Sequence, residues 1–352
     1  MELFVVPKKL PELFELERLA QSLSKHGQIR ILDRVLHRGA EFPLYCYSFG
    51  PSDPEVPVFA LFGGVHGLER IGTRVLISWL KTLETLLEWD SSIHDLLKRV
   101  RLVVMPLVNP VGMMLRRRSN GNGVDLMRNA PVDAAVRPRV PLLGGHRISP
   151  LLPWYRGASE QGFAGMELEA RTLCNLVREV VFPARVSVAL DIHSGFGTVD
   201  RLWFPYAKSR QPFPDLPEMF AVADLLDRTY PNHVYRVEPQ SVTYTTHGDL
   251  WDYMHDRFKA ERPEGSVFLP LALELGSWLW VKKNPRQLFS AVGVFNPLIP
   301  HRYQRILRRH ITLIDFLLRV CASAEKWSKA SGADREELQR RAMDRWYPKS
   351  RS

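Results

Sequence analysis

The chain has 352 residues, 45% of them hydrophobic, and is long enough to bury the core of one large α/β domain or two ordinary ones. Its three cysteines, Cys46, Cys174 and Cys321, are widely separated, which argues against a disulfide framework and against a cysteine zinc site. The net charge of +10 is concentrated toward the C-terminus, so nucleic acid is not expected as the primary partner.

The N-terminus and the apolar runs bear on the compartment. Acidic residues and two prolines occupy the first 23 residues, where a signal peptide needs a basic start and an unbroken apolar stretch. No run approaches the ~18 uninterrupted apolar residues of a transmembrane helix. We therefore expect a cytoplasmic protein without a membrane partner. The basic stretches 301–310 and 335–352 predict solvated helix faces, with attraction of an acidic substrate or incidental polyanion binding as alternatives.

Helical and strand-like hydrophobic patterns alternate along the chain. Apolar residues at helical spacing predict helices, and short continuous apolar runs predict buried strands. The predicted elements, in chain order, are a helix over 11–26, strands over 42–48 and 56–64, a helix over 71–88, a strand over 99–110, a helix over 166–181, a strand over 185–195, a helix over 218–230, a strand over 266–278 and a helix over 302–326. This order predicts an α/β fold with a mixed, mostly parallel central β-sheet flanked by helices.

Polar residues lie at the ends of four predicted strands or within them. Open α/β sheets bind ligands beyond the carboxyl ends of their strands, so these positions are candidate site residues. Two imidazoles and one carboxylate can hold zinc with a position left for water, and a further carboxylate can take the proton of that water. The residues at these places are His66 and Glu69, Asn109, Asp191 and His193, and Glu274.

Each of these signals also has a plain structural interpretation. In this composition, a histidine followed three residues later by an acidic residue is expected about once by chance. His66 with Glu69 can therefore be an ordinary turn, and His193 alone can cap one. Glu274 is different, because burying a carboxylate in an apolar strand is costly unless it is paired or solvated in a cleft. A buried ion pair with an arginine is the alternative for Glu274.

The stretch 109–129, NPVGMMLRRRSNGNGVDLMRN, favours a functional site over these structural interpretations. Together with GGVHGLE and LDIHSG it resembles the M14 family of zinc carboxypeptidases. The family pattern is His-x-x-Glu, Asn-Pro-Asp-Gly, Arg-x-Asn, Gly-Val-Asp-Leu-Asn-Arg-Asn, a distant histidine and a late strand glutamate. The matching positions are His66 and Glu69, Asn109 to Gly112, Arg118 to Asn120, Gly123 to Asn129, His193 and Glu274.

The resemblance implies the chemistry of the site. One Zn²⁺ per chain would be held by His66, Glu69 and His193, and it would activate a water and polarise the scissile carbonyl. Glu274 would be the general base and then the proton donor to the leaving amine. Arg118 would stabilise the oxyanion.

The resemblance also implies a substrate-binding group. Arg128 would pair with the carboxylate of the substrate, with Asn129 and Met127 beside it. Tyr253 is the candidate for the active-site tyrosine of the family, with Tyr244 as the second candidate, and Tyr253 can equally be a packed helix residue.

Three features depart from the family pattern or have no counterpart in it. Met127 stands where carboxypeptidases have an asparagine that helps grip the terminal carboxylate, which puts recognition of an ordinary C-terminus in doubt. Val111 replaces the aspartate of Asn-Pro-Asp-Gly and indicates a local structural change. The segment 278–300 has no counterpart in a minimal carboxypeptidase, and its aromatic residues either pack the core or wall the pocket.

Asp191 is either a partner of His193 or a structural hydrogen-bond acceptor.

The resemblance implies a zinc-dependent metallocarboxypeptidase that cleaves a C-terminal peptide or γ-linked amide bond of a substrate with a free carboxylate. The alternatives are an N-acyl-amino-acid amidohydrolase of the aspartoacylase and desuccinylase group, or a non-catalytic zinc-binding or peptide-binding protein on the same fold. The implied organisation is an N-terminal helical extension over 1–40, a catalytic domain over 41–326 and a basic tail over 327–352.

Overall fold

The structure is a computed structural model that describes residues 10–138, 142–195, 197–262 and 264–348. Within these ranges, the strands are β1 (Gln28–His37), β2 (Ala40–Phe49), β3 (Val58–Gly63), β4 (Arg101–Met105), β5 (Val186–Gly195), β6 (Asp200–Phe204), β7 (Tyr235–Pro239) and β8 (Val267–Gly276). They form one sheet in the order β1-β2-β4-β3-β5-β8-β6-β7.

The centre of the sheet is parallel and its outer parts are mixed. β4, β3, β5 and β8 pair in parallel, whereas β1 with β2, β2 with β4 and β6 with β8 pair antiparallel. The four central strands correspond to the four continuous apolar runs, because a strand covered on both faces has no solvent side that needs polar residues. The prediction of a mixed, mostly parallel sheet is confirmed.

Helices flank this sheet. α2 and α10 pack on β3 and β5, and α7 packs on β8. The α-helices of the described residues are α1 (Pro11–Leu23), α2 (Arg70–Trp89), α3 (Ser91–Leu97), α4 (Pro110–Leu115), α5 (Leu168–Leu176), α6 (Leu216–Thr229), α7 (Leu250–Glu261), α8 (Trp278–Val281), α9 (Ala291–Phe295), α10 (Pro300–Ala322) and α11 (Gly332–Trp346). Among them, none combines the length and the apolar character that crossing a membrane requires.

Both ends of the described chain are attached to the sheet domain. The implied boundary after residue 40 falls at the start of β2, which forms a hairpin with β1. In α1, Glu12 is almost fully buried and pairs with Arg70 and Arg74 of α2. At the other end, α11 packs on α6, and the indole of Trp346 is buried and donates to the carbonyl of Val237. The helix in the predicted basic tail is therefore packed against the domain.

The strands that the sequence did not predict lie toward the edges of the sheet. β1 is partly exposed along its length, and β6 and β7 have five residues each. Short or solvent-facing strands carry charged residues among the apolar ones, so they leave no continuous apolar run to detect.

Candidate active site

The candidate site lies at the carboxyl ends of three neighbouring central strands. β3 ends at Gly63 and leads into the loop that carries His66 and Glu69. β5 carries His193, which is in register with Glu274 on β8. Because parallel strands end at the same edge of the sheet, side chains far apart in the sequence meet here.

His66, Glu69 and His193 form one buried group. Their candidate ligand atoms all lie within 4.8 Å of one another. Nδ1 of His66 is 2.8 Å from Glu69 Oε1, and Nδ1 of His193 is 3.1 Å from Glu69 Oε2. The two Nδ1 atoms are 3.3 Å apart. This set of nitrogen and oxygen atoms matches a three-residue zinc site with a position open to water.

The outer nitrogens of both imidazoles face carboxylates. Nε2 of His66 lies 3.1 Å from Asp125 Oδ1, and Nε2 of His193 lies 2.8 Å from Asp191 Oδ2. With a metal ion at the inner nitrogens, each imidazole would carry its hydrogen on Nε2, donate it to the outer carboxylate and direct the lone pair of Nδ1 inward. Two nitrogen lone pairs and the Glu69 carboxylate would then converge on one point. A metal cation at that point would satisfy all three groups.

The carboxylates around this group are held in the charged form. Burial alone would raise the pKa of Glu69 and of Asp125, but the charges around them lower both pKa values well below the usual range. For Glu69 the opposing influences are His66 and His193, and for Asp125 they are mainly Arg118 and His66. The site therefore keeps the ionised ligands that a divalent cation needs.

The loop that carries His66 is held by close backbone contacts. A Cβ at Gly67 would lie 2.1 Å from the carbonyl carbon of Gly112, so only glycine permits this approach. Asn109 accepts from Gly112 N–H at 2.8 Å and donates to the carbonyl of Val65 at 3.1 Å. The Asn-Pro-x-Gly turn thus fastens the metal-ligand loop, and Val111 is buried inside it without contributing a polar group.

The start of α7 supports both sides of the site. The indole Nε1 of Trp251 donates to Asp191 Oδ2 at 3.0 Å and fixes the carboxylate that faces His193. Gly248 has φ +72°, and a Cβ there would lie 1.9 Å from the carbonyl oxygen of Arg128. One short segment therefore positions the carboxylate that faces the candidate metal ligand His193 and the backbone of Arg128.

Glu274 faces the metal group without being hydrogen-bonded into it. Burial, as the largest cause, raises its pKa to about 7, and Glu69 contributes to this rise, whereas His193, His66 and Arg118 oppose it. A carboxyl group whose pKa lies near neutral pH can both take and return a proton.

Arg118 lies beside the candidate metal group. Its Nε donates to Asp125 Oδ2 at 2.8 Å, and Nη1 donates to Glu69 Oε1 at 3.3 Å. Its guanidinium carbon lies 5.9 Å from the centre of the Trp154 ring. Arg118 is thus fixed beside Glu69 by two carboxylates and an aromatic face.

The two tyrosine candidates lie in different places. Tyr244 is near Arg128, Glu274 and Arg118, and its side chain is 39% exposed. Burial, as the largest cause, raises its pKa, and the two arginines oppose this rise. The structure does not bring Tyr253 to this group.

Tyr253 lies on another face of α7. It packs against the hydrophobic core, and the charged groups close to it are Arg257, Arg178 and Glu261. It therefore occupies the position of a packed helix residue. Because α7 begins at Leu250, Tyr253 lies inside this helix, whereas Tyr244 lies in the loop before it.

The three predicted substrate-binding residues differ in what they offer. Arg128 is almost fully buried, its Nη1 donates to the carbonyl of Met127, and its Nε has no hydrogen-bond partner among the described residues. Met127 is buried in the hydrophobic core. The amide of Asn129 donates to the carbonyl of Arg156 and accepts from Glu167 N–H, so both of its polar ends are used within the chain. Of the three, Arg128 is the residue with free hydrogen-bonding capacity.

Two residues of the site, Asp125 and Trp251, received no role from the sequence. Asp125 has a signal that could have revealed it, since it lies between Val124 and Leu126 in an apolar setting, as Glu274 does. Trp251 has no such signal, because its partner Asp191 lies 60 residues away in sequence.

Known proteins resemble this chain over part of its length. Carboxypeptidase SOL1 of Arabidopsis thaliana is 32% identical over 93 residues, which are 26% of this chain and 19% of that protein. Carboxypeptidase E of Caenorhabditis elegans is 30% identical over 139 residues, which are 36% of this chain and 27% of that protein. The chain thus matches less than a third of the length of these relatives.

Solved structures share the fold. Carboxypeptidase A from Helicoverpa armigera superposes with a TM-score of 0.64 at 18% identity, covering 88% of this chain and 72% of that one. Thrombin-activatable fibrinolysis inhibitor gives a TM-score of 0.63 at 17% identity, covering 92% of this chain and 74% of that one.

The family is shown by a match over most of the chain. The model of the zinc carboxypeptidase family matches residues 23–275. This range includes the three candidate metal ligands and Glu274, so the resemblance based on the sequence motifs is confirmed. The chain belongs to the M14 family of zinc carboxypeptidases.

Proposed function

We propose that this protein is a zinc-dependent hydrolase that removes the C-terminal residue of a peptide or a γ-linked amide. The observation that carries the proposal is the buried group of His66, Glu69 and His193, which has Glu274 beside it and Arg118 at its rim. When bound, zinc supplies Lewis-acid chemistry, which activates a water and polarises the scissile carbonyl.

Glu274 is the proton carrier in this proposal. Its carboxylate takes the proton of the attacking water, and the resulting carboxylic acid gives that proton to the nitrogen of the leaving amine. The pKa of about 7 suits both directions, because neither protonation state is strongly favoured near neutral pH.

Arg118 stabilises the charge that develops on the carbonyl oxygen. Its Nε and Nη1 already donate to Asp125 and Glu69, so the guanidinium is held in place before substrate binds. Within the described residues Nη2 makes no hydrogen bond, so it remains for a substrate oxygen. A donor that needs no reorganisation contributes most to the transition state.

Arg128 binds the free carboxylate of the substrate. Its Nε is unpaired within the described residues, and the side chain of Tyr244 lies close to it. Because Met127 is buried and has no side-chain amide, the second hydrogen-bond donor of the family pattern is missing. We infer that carboxylate recognition rests mainly on Arg128, which leaves room for carboxylates other than an ordinary peptide C-terminus.

The compartment is also proposed. Cys46, Cys174 and Cys321 are all unpaired and buried, which suits a reducing, cytoplasmic environment.

The test pairs metal content with a substrate panel. The purified protein is assayed for zinc and for hydrolysis of free-terminus peptides, their C-terminally amidated forms, γ-glutamyl peptides and N-acyl amino acids. About one zinc per chain, with chelator-sensitive release of a C-terminal residue, is the expected result. Release from N-acyl amino acids alone would replace the peptidase with an amidohydrolase, and zinc binding without turnover on any substrate would replace it with a binding protein.

Arg128→Ala tests the carboxylate clamp within this panel. Losing a charge-assisted hydrogen bond of about 1.5–3 kcal/mol should raise KM on the order of 10-fold to 100-fold for substrates with a free carboxylate. Amidated substrates should be affected much less. Equal cleavage of free and amidated peptides by the unaltered protein would remove the clamp from the proposal.

A further inference from the structure

The segment between β8 and α10, residues 277–299, forms a folded unit beside the candidate active site. The side-chain amide of Asn296 donates to the carbonyl of Leu68 and accepts from the N–H of Ile71, so it bridges the metal-ligand loop and α2. Ser194, next to His193, donates to the carbonyl of Phe295. The segment is therefore held against the loops that carry the candidate metal ligands.

The outer side of this segment exposes large apolar side chains. Phe289 is 92% exposed, Leu298 52% and Leu288 49%. Gln287 is buried beneath them and donates from one amide nitrogen to the carbonyls of Gly293 and Asn296. These bonds join the two halves of the segment, so the exposed side chains belong to one folded surface. Exposed apolar side chains gathered on one folded unit are a candidate interaction site.

The same part of the chain carries only positive charge. Between Glu274 and Asp315 the sequence contains no aspartate or glutamate. The lysines and arginines of this interval are Lys282, Lys283, Arg286, Arg302, Arg305, Arg308 and Arg309.

These cations are mostly unneutralised. Arg309 pairs with Asp200, but within the described ranges the other six form no ion pair. The basic residues of α11 behave differently, since Arg335 and Arg341 pair with acidic residues of α6. The basic residues Arg335 and Arg341 of α11 are thus neutralised by the domain, whereas the six cations between Lys282 and Arg308 have no acidic partner within the described ranges.

We propose that residues 277–299, with the first turns of α10, dock the protein onto an anionic membrane surface. Phe289 and Leu288 would enter the interface between headgroups and acyl chains, and Lys282, Lys283 and Arg286 would contact lipid phosphates and carboxylates. An acidic peptide would match the cations but would leave Phe289 in water. A lipid surface uses both features, and for that reason we choose it. This inference does not depend on the proposed catalytic activity.

Docking in this way would also place the candidate site close to the lipid. Asn296 and Phe295 connect the docking segment to the loops of the metal group, so an attached protein would act on substrates held at the membrane surface. The expectation of no membrane partner rested on the lack of a spanning segment, which does not bear on interfacial docking.

Vesicle co-sedimentation of the full chain tests the proposal. Wild-type protein should bind vesicles of phosphatidylcholine with about one-third phosphatidylserine, and binding should fall steeply as salt rises. Pure phosphatidylcholine vesicles should bind it at least ten times more weakly.

The apolar contribution is tested by Phe289→Ser. This variant should bind the anionic vesicles several-fold more weakly. Leu151→Ser is the matched control, because Leu151 is equally exposed at 92% on a different loop, and it should leave binding unchanged. Both residues are exposed, so their thermal unfolding should match that of the wild type.

The cationic contribution is tested by changing Lys282, Lys283 and Arg286 together to alanine. Binding to anionic vesicles should fall at least tenfold. The control changes three other exposed cations that line a cavity elsewhere, Arg99, Arg185 and Lys326, to alanine. It removes the same charge and should retain most of the binding.

Several outcomes would overturn the docking proposal. They are no binding of the wild type to anionic vesicles, equal losses in the two triple variants, or no effect of Phe289→Ser. Tight binding of soluble polyglutamate that is insensitive to Phe289→Ser would identify an acidic peptide site instead. A wild-type dimer that Phe289→Ser converts to a monomer would identify a contact between two copies.

Discussion

The metal-holding half and the substrate-facing half of the site differ in how completely the chain satisfies their polar groups. On the metal side, both imidazoles have carboxylates on their outer nitrogens, and Glu69 receives the N–H of Ser194. On the substrate side, Arg128 has an unpaired Nε, and Tyr244 is 39% exposed. The candidate metal ligands are thus fixed in advance, whereas the groups proposed to bind the substrate keep free hydrogen-bonding capacity.

This difference has an energetic basis. A buried polar group without a partner costs about 1–3 kcal/mol, and a ligand that pairs with it recovers that free energy. The unpaired Nε of Arg128 is such a group. On the metal side the polar groups have too much negative charge and too few cations. The three electron-rich groups of His66, Glu69 and His193 converge, and a cation would offset their repulsion.

Glu274→Gln should have the largest effect and should separate turnover from metal binding. Glutamine keeps the shape but cannot take a proton, so kcat should fall by about 10²–10⁴. Zinc content should stay at about one per chain, because Glu274 lies outside the ligand set. Metal analysis and steady-state kinetics on the same preparation measure both quantities.

Glu169→Gln is the matched control for this change. Glu169 is also buried and also has a raised pKa, but its partner is Asn120 and it lies outside the metal group. Turnover of Glu169→Gln should remain close to that of the wild type. Unchanged turnover in Glu274→Gln would remove the general-base role.

Asp191→Asn should weaken the metal side without touching a ligand atom. The asparagine could still accept from Trp251, but it would lack the charge that orients and polarises His193. Zinc affinity, measured by chelator competition, should fall about 10-fold to 100-fold. Trp251→Phe should have a smaller effect, because it leaves the bond between Asp191 and His193 intact. Equal affinity in Asp191→Asn and the wild type would make Asp191 only a structural acceptor.

His310 shows what burial does to an imidazole that lacks a close carboxylate. It is 1% exposed, with Asp200 3.9 Å away, and burial, as the largest cause, lowers its pKa from 6.5 to about 4. Since the unfolded chain binds this proton more readily, the stabilisation is complete above about pH 6.5 and is lost as pH falls toward 4.

The cost of protonating His310 can be measured in denaturant. Between about pH 7 and pH 5 the folded state should lose on the order of 2 kcal/mol from this residue. His310→Gln should flatten the pH dependence by that amount, and His301→Gln, at an exposed position of α10, should not. If both variants kept the wild-type pH dependence, His310 would not be a source of the acid sensitivity.

The central part of the sheet was predictable, because strands that are buried on both faces appear in the sequence as continuous apolar runs. The runs that became β3, β4, β5 and β8 are continuous and apolar, and their ends carry His66, His193 and Glu274. The outer strands β1, β6 and β7 were not predicted, because β1 is partly exposed and has charged residues mixed in, and β6 and β7 are only five residues long. What the sequence could not supply was contact between remote segments, such as Trp251 with Asp191.

The segment 277–299, proposed to dock on a membrane, shows a further limit of prediction from sequence. Its aromatic and apolar residues allowed two interpretations, core packing or a pocket wall, and the structure divides them between burial and solvent. Trp280 and Val281 are buried, whereas Phe289 is almost fully exposed. Composition alone cannot make this division, because burial depends on how α8 and α9 fold over the metal-ligand loop.

The two tyrosines give the smallest expected effect and compare the substrate side directly with the core. Tyr244→Phe removes a hydroxyl close to Arg128 and should lower kcat/KM by about 2-fold to 10-fold, as for one hydrogen bond. Tyr253→Phe should leave kcat/KM unchanged, because its neighbours Arg257 and Glu261 lie away from the metal group. The reverse result would return the active-site role to Tyr253 and would mean that the loop before α7 adopts another register when substrate binds.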